Sequence, residues 1–221
     1  MFDSVVRDKA KELGFDAVCV AQADVPLDRD FAAYESFIDS GKHGQMEYLA
    51  NNREVRRRLD CDGILPSAKS VICLAQRYAV DENQLGQDQG IVGLLARYAR
   101  GRDYHNHLRK RLRRLAEFVR SLGPGVTARS MCDTAPVLER AWAARAGLGF
   151  IGKNGSLIVP RLGSFVLLGE VVTSLRLSPD SPLQGRCGSC TRCIDACPGK
   201  AIVGPYVIDA RRCVSYLTIE H

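Results

Sequence analysis

Twelve residues near the C-terminus constrain this chain more than any others: Cys187-Gly-Ser-Cys190-Thr-Arg-Cys193-Ile-Asp-Ala-Cys197-Pro198. The spacing C-x2-C-x2-C-x3-C-P is the thiolate run of bacterial-type 4Fe–4S ferredoxins, whose first three cysteines hold one cluster and whose fourth holds another. Zinc sites instead use two separated cysteine pairs. The wider last step and the proline turn the chain away, so Cys197 cannot close the cube begun by Cys187, Cys190 and Cys193. The first cluster then needs one more ligand and the second needs three beyond Cys197. Cys213 alone follows before His221.

A chain of 221 residues with 46% hydrophobic content is long enough for one sizeable core and a small module. Nine cysteines, four in one ligand run, argue for a reducing cytoplasm and metal ligation rather than disulfides. Cys19, Cys61, Cys73 and Cys132 read as small apolar residues. The first residues do not form a signal peptide, and no stretch approaches a membrane span. The net charge is +6. It gathers at Arg53, Arg56, Arg57 and Arg58, and again across Arg97 to Arg114. Such blocks suit a polyanion such as nucleic acid, solvated helix faces being the alternative.

Hydrophobic periodicity predicts helices over 2–13, 28–40, 104–122 and 136–146, with further helix from 44 into the arginine block. Strands are expected at 15–21, 70–78 and 126–132. The segments 156–159 and 164–174 read as a hairpin-like pair. Residues 81–90 read as a polar loop, 147–155 as a glycine-rich loop, and 178–185 as a hinge. The expectation is an α/β domain over 1–180 followed by a ferredoxin-like module over 181–221.

Asp133 sits between a strand and Pro136. A carboxylate at a strand end is where α/β folds place active sites, and it is equally where a helix N-cap would stand. Residues 147–155 match G-x-G-x-x-G, but a helix leads into them rather than a strand, which argues against a dinucleotide site. His105 and His107 are two apart and share no helical face, so solvent or phosphate contacts fit them better than a two-histidine metal site.

Taken together, these residues resemble the epoxyqueuosine reductase family. The resemblance is carried by Arg97-Tyr98-Ala-Arg-Gly101-Arg102-Asp103-Tyr104-His105, Asp133-Thr-Ala-Pro136-Val-Leu-Glu139 and Gly147 to Asn154. Gly169-Glu170, the cysteine run, and Asp209 through Cys213 to Glu220 complete it. It implies a cytoplasmic, monomeric enzyme with cobalamin and two 4Fe–4S clusters, fed by an external low-potential electron donor. The reaction implied is reduction of epoxyqueuosine to queuosine in a tRNA anticodon loop. Asp133 would be the general acid that protonates the opening epoxide, its pKa raised by burial. Arg57 matches a cobalamin-contact position, with Tyr98, Lys153, Ser215 and Tyr216 as further candidates. Cys187, Cys190 and Cys193 would serve one cluster, and Cys197 with Cys213 the other.

The sequence departs from the family at Gly199-Lys200, where Thr-Gly is usual. It also lacks the family's second cysteine group and C-terminal helical repeats. A C-terminally truncated, poorly active fragment is therefore expected. Two other readings compete. One is a corrinoid reductase of another small molecule, such as a reductive dehalogenase, for which an export signal would be expected. The other is a non-catalytic electron or cobalamin carrier, which would need neither an acid nor a domain of about 180 residues.

Overall fold

The computed structural model describes residues 2–78, 97–99, 103–133 and 135–220. The polar loop expected at 81–90 lies outside them, as do Arg100, Gly101, Arg102 and Thr134. The described part is a mixed α/β structure built on a four-stranded antiparallel sheet. Its strands are β1 (Ala17–Gln22), β2 (Ser70–Arg77), β3 (Ala128–Met131) and β6 (Val166–Thr173), in the order β1-β2-β6-β3. Two short strands, β4 (Phe150–Ile151) and β5 (Leu157–Ile158), pair separately.

The central strands β2 and β6 read as nearly unbroken apolar runs because both their faces are covered. On one face pack α1 (Phe2–Glu12) and α5 (Tyr104–Arg120). Leu108, Leu112, Leu115 and Val119 of α5 meet Ile72, Leu74 and Val171 there. On the other face α6 (Glu139–Arg145) lays Trp142 and Ala143 over Val71, Cys73 and Val172. The adjacent Gly169 and Glu170 divide the two faces. A Cβ on Gly169 would stand 2.6 Å from Leu112 Cδ1, so glycine lets α5 settle on the sheet. Side chains alternate along a strand, and Glu170 therefore faces α6.

The arginine block does not continue one long helix. It forms α4 (Arg53–Arg57), separated from α3 (Glu47–Ala50) by Asn52 in the left-handed region, and α2 (Asp28–Asp39) precedes both. The hairpin expected between 156–159 and 164–174 is a correction. Strand β5 pairs with β4, and β6 inserts between β2 and β3. Periodicity reports which segments are extended but not which neighbour each one takes. Helix α6 starts at Glu139, three residues later than Pro136 suggests.

The cysteine module holds α7 (Arg192–Asp195), the hairpin β7 (Ile202–Gly204) with β8 (Val207–Ile208), and α8 (Val214–Ile219). It is pinned to the sheet unit by main-chain bonds. Ala210 N–H donates to Lys42 O at 2.9 Å, and Tyr206 N–H donates to Lys153 O at 2.9 Å. Tyr216 is buried, and its hydroxyl accepts from Gln45 N–H at 2.9 Å. Its ring lies over Gly44, where a Cβ would meet the hydroxyl at 2.6 Å. Among the described residues, no helix is long and apolar enough to cross a membrane.

Candidate active site and cysteine module

Helix α5 runs along the sheet and β3 returns beside it, which carries Asp133 back to the start of α5. Asp103 caps that start, accepting from His105 N–H at 2.9 Å. The same Asp103 Oδ1 lies 2.8 Å from His105 Nδ1, and His105 Nε2 lies 2.9 Å from Asp133 Oδ2. His105 thus bridges two carboxylates. Tyr104 stacks on its ring, with centroids 3.9 Å apart. Partial burial works against the imidazolium, but the bonds to Asp133 and Asp103 outweigh it and hold the His105 pKa above the usual value. Nε2 and Asp133 are thus joined by a hydrogen bond along which a proton can be passed.

Asp133 is not a helix cap. It stands in the left-handed region at φ 59, which a non-glycine residue occupies only where its surroundings hold it there. Its N–H donates to Glu139 Oε1 at 2.6 Å. The burial expected of its carboxyl is not provided by the chain itself, for the side chain is 56% exposed. Burial pushes the pKa of Glu139 up to about 7, against the bond from Asp133 N–H that lowers it. Cys132, buried at the end of β3, is pushed up to about 12 by burial and by the nearby carboxylates. Sequence reasoning missed His105, Asp103 and Glu139 as partners of Asp133. The one local signal was Asp103, a capping residue directly before a helical run.

Around Asp133 stand exposed aromatic groups. Tyr98 packs edge-on against Tyr104, with centroids 6.0 Å apart, and Tyr48 lies within reach of the charge of Asp133. Arg57 ends α4 and pairs with Asp28 at 2.7 Å. Ser215 and Tyr216 lie in α8, Ser215 exposed and Tyr216 turned inward onto Gln45. Lys153 belongs to the cysteine loop: its Nζ donates to Gly188 O at 2.8 Å and Cys190 O at 3.0 Å. The glycines of 147–155 serve internal packing. A Cβ on Gly147 would fall 2.3 Å from Ser181 O, and one on Gly149 would fall 2.5 Å from Ile158 O.

The cysteines carry main-chain donors. Lys153 N–H points at Cys187 Sγ (3.4 Å) and Ala201 N–H at Cys197 Sγ (3.2 Å). Main-chain N–H groups, led by those of Ile202 and Ala201, lower the Cys197 pKa and favour its thiolate. Cys197 and Cys213 lie on turns that meet where Gly199 abuts Arg212, and a Cβ there would stand 2.0 Å from Arg212 O. All nine cysteines are free. Among the described residues no three His, Cys, Asp or Glu side chains gather as a metal site. Thiols with N–H donors on sulfur are nonetheless the donor chemistry an iron–sulfur cluster takes.

Residues 58–134 match the family model described as "Epoxyqueuosine reductase QueG, DUF1730". Residues 186–221 match the "4Fe-4S double cluster binding domain", which makes this an iron–sulfur module. An epoxyqueuosine reductase of Gloeobacter violaceus is 42% identical over 98% of this chain and 66% of its own length. One from Cellulophaga algicola is 38% identical over 98% of this chain and 68% of its own. Among solved structures, an epoxyqueuosine reductase with an epoxyqueuosine-modified tyrosine tRNA stem loop superposes with a TM-score of 0.89 at 33% identity. One from Bacillus subtilis, with an aspartate-bearing catalytic loop swung out of its active site, gives 0.86 at 31%. In both, 98% of this chain matches 57% of the other, so the chain spans little more than half of those structures. A reductive dehalogenase shares the fold at a TM-score of 0.53 and 21% identity, over 91% of this chain and 23% of its own. The chain belongs to the epoxyqueuosine reductase family.

Proposed function

We propose that this chain carries the reducing site for epoxyqueuosine in tRNA, with Asp133 as general acid. The observation that carries the reading is the Asp103–His105–Asp133 chain of hydrogen bonds, in which an imidazole nitrogen stands 2.9 Å from an exposed carboxyl. Opening an epoxide leaves an alkoxide that needs a proton. Asp133 delivers it to that oxygen, and His105, fixed by Asp103, restores it from its own ring. The histidine also keeps the carboxyl aimed, since both its nitrogens are engaged.

Cobalamin would supply the reducing equivalents at the epoxide carbon when bound. The residues fit such a group in that an exposed aromatic face, Tyr48, lies within reach of the exposed acid, with the exposed Tyr98 packed on Tyr104. Arg57, held by Asp28, would meet the phosphate of its nucleotide tail, and Ser215 its amides. The cysteine module, with ligands Cys187, Cys190, Cys193, Cys197 and Cys213, would pass in electrons from an external low-potential donor. Tyr216 and Lys153 act in this reading as supports: Tyr216 seats α8, and Lys153 ties down the cysteine loop. The chain would act as a monomer in the cytoplasm on tRNA, and the basic residues of α5 would meet the phosphate backbone. In this reading 1–180 would serve catalysis and 181–221 electron supply.

The test replaces Asp133 by Asn in the protein reconstituted anaerobically with iron, sulfide and cobalamin. Cobalamin uptake, read by its absorption spectrum, should be unchanged. Epoxyqueuosine turnover should fall by about 100-fold or more. Turnover that survives the substitution would remove Asp133 from the role of acid.

A further inference from the structure

Behind Asp133 lie two carboxyls that the proton relay does not use. Glu170 has no exposure, and neither of its carboxyl oxygens has a hydrogen-bond partner among the described residues. It faces α6 from β6, with Cys73 on β2 and Met131 on β3 opposite it in register. A carboxylate so placed cannot hold a charge without a partner, so Glu170 is the neutral acid, driven there first by burial and then by the charge of Glu139. Glu139, at the start of α6, is half-buried, and its Oε1 receives the N–H of Asp133.

We propose that Glu139 is a positioning residue for the acid: in its ionised form it latches the Asp133 loop through the main-chain amide, while Glu170 beneath it carries a proton. The inference rests on Asp133 being the acid. The left-handed backbone of Asp133 is costly for a residue with a Cβ, and a loop held in it needs a specific restraint. An ionised acceptor binds an amide more strongly than a neutral one. Protonation of Glu139 therefore loosens the latch.

The groups around Glu139 come from every neighbouring element. Asp133 and Cys132 flank it from the β3 loop, Tyr104 from α5, Glu170 from β6, Cys73 from β2, and Arg140 from its own helix. Arg140 is the single cation among them and favours the ionised form. Burial and the charge of Asp133 oppose it, so the latch titrates near neutrality.

Hydrogen exchange of the Asp133 amide tests this on the full chain, between about pH 6 and pH 8.5, relative to an unstructured peptide of the same local sequence. In the wild type, protection should rise at least about tenfold as Glu139 ionises. Glu139→Ala should abolish protection at every pH. Glu139→Gln keeps an oxygen acceptor and should give intermediate protection with no pH dependence. Glu170→Gln should keep the wild-type profile. Wild-type protection in Glu139→Ala would overturn the proposal, as would a wild-type titration in Glu139→Gln. Exchange needs no turnover, so a failure of Asp133 as acid shows separately, as retained activity in Asp133→Asn. In turnover, Glu139→Ala should lower kcat with KM unchanged, and Glu139→Gln should restore most of it.

Discussion

The main-chain N–H of Asp133 donates to Oε1 of Glu139 at 2.6 Å, so one carboxyl sets the backbone of the other. This arrangement has a price in stability. Glu139 titrates at about 7 in the fold against an ordinary 4.5. A group whose folded pKa is raised lends stability fully below its unfolded pKa and loses it as pH climbs through the folded one. The wild type should therefore weaken relative to Glu139→Gln between about pH 4.5 and pH 7, by at most about 3 kcal/mol. Urea denaturation of both proteins at the two ends of that window measures it. Parallel pH profiles would mean that Glu139 ionises without strain.

Asp103 has two tasks that one substitution separates. Asp103→Ala removes the cap of α5, which should cost about 1 kcal/mol. It also removes one of the two carboxylates that raise the His105 pKa, so that pKa should drop. Sign follows: His105 stabilises the fold below its unfolded pKa and loses that effect as pH rises through its folded one. The variant should thus lose relatively more stability at acidic pH than at pH 8. Histidine C–H shifts in NMR follow the titration directly. An unmoved His105 midpoint would contradict the 2.8 Å contact as an energetic one.

Much of the sheet and its helices was legible in the sequence, because each segment shows its own period. The stripe Leu108, Leu112, Leu115 and Val119 gave α5 to within two residues at its end. Pairing was not legible. Nothing in Ser156 to Ser174 says that β6 enters the middle of a sheet, since that depends on β2 and β3, which are distant in sequence. The site divided similarly. Asp133 stood out by its place at a strand end, but its partners reach it from positions 103, 105 and 139, and only the return of β3 along α5 brings those together. The glycines of 147–155 misled locally. Their spacing matches a nucleotide-loop pattern, whereas Gly147 and Gly149 admit the chain's own carbonyls.

Tyr216 seats the last helix, and its loss should be felt there first. Tyr216→Phe removes the acceptor of Gln45 N–H and keeps the ring over Gly44. The expected cost is about 1–2 kcal/mol. Exchange of amides in 210–219 should quicken while those of β2 and β6 stay protected, because the bond joins the module to loop 41–46 and not to the sheet. Equal quickening throughout would make Tyr216 a part of one cooperative core instead.

Gly199 allows the turn after Cys197 to lie against the turn before Cys213. Gly199→Ala would place a Cβ 2.0 Å from Arg212 O, a backbone atom with nowhere to move without shifting Cys213. The substitution should destabilise the module by about 1–3 kcal/mol. It should also reduce the iron retained after anaerobic reconstitution, since ligands that serve one cluster must hold their separation. Gly204→Ala is the control, for nothing lies within 4 Å of its Cβ position. Iron per chain and the module's melting are the two readouts, and the second does not depend on how much iron the wild type takes up. If Gly199→Ala matched Gly204→Ala in both, the two cysteine turns would not be coupled through this contact. The close approach would then be incidental to iron binding.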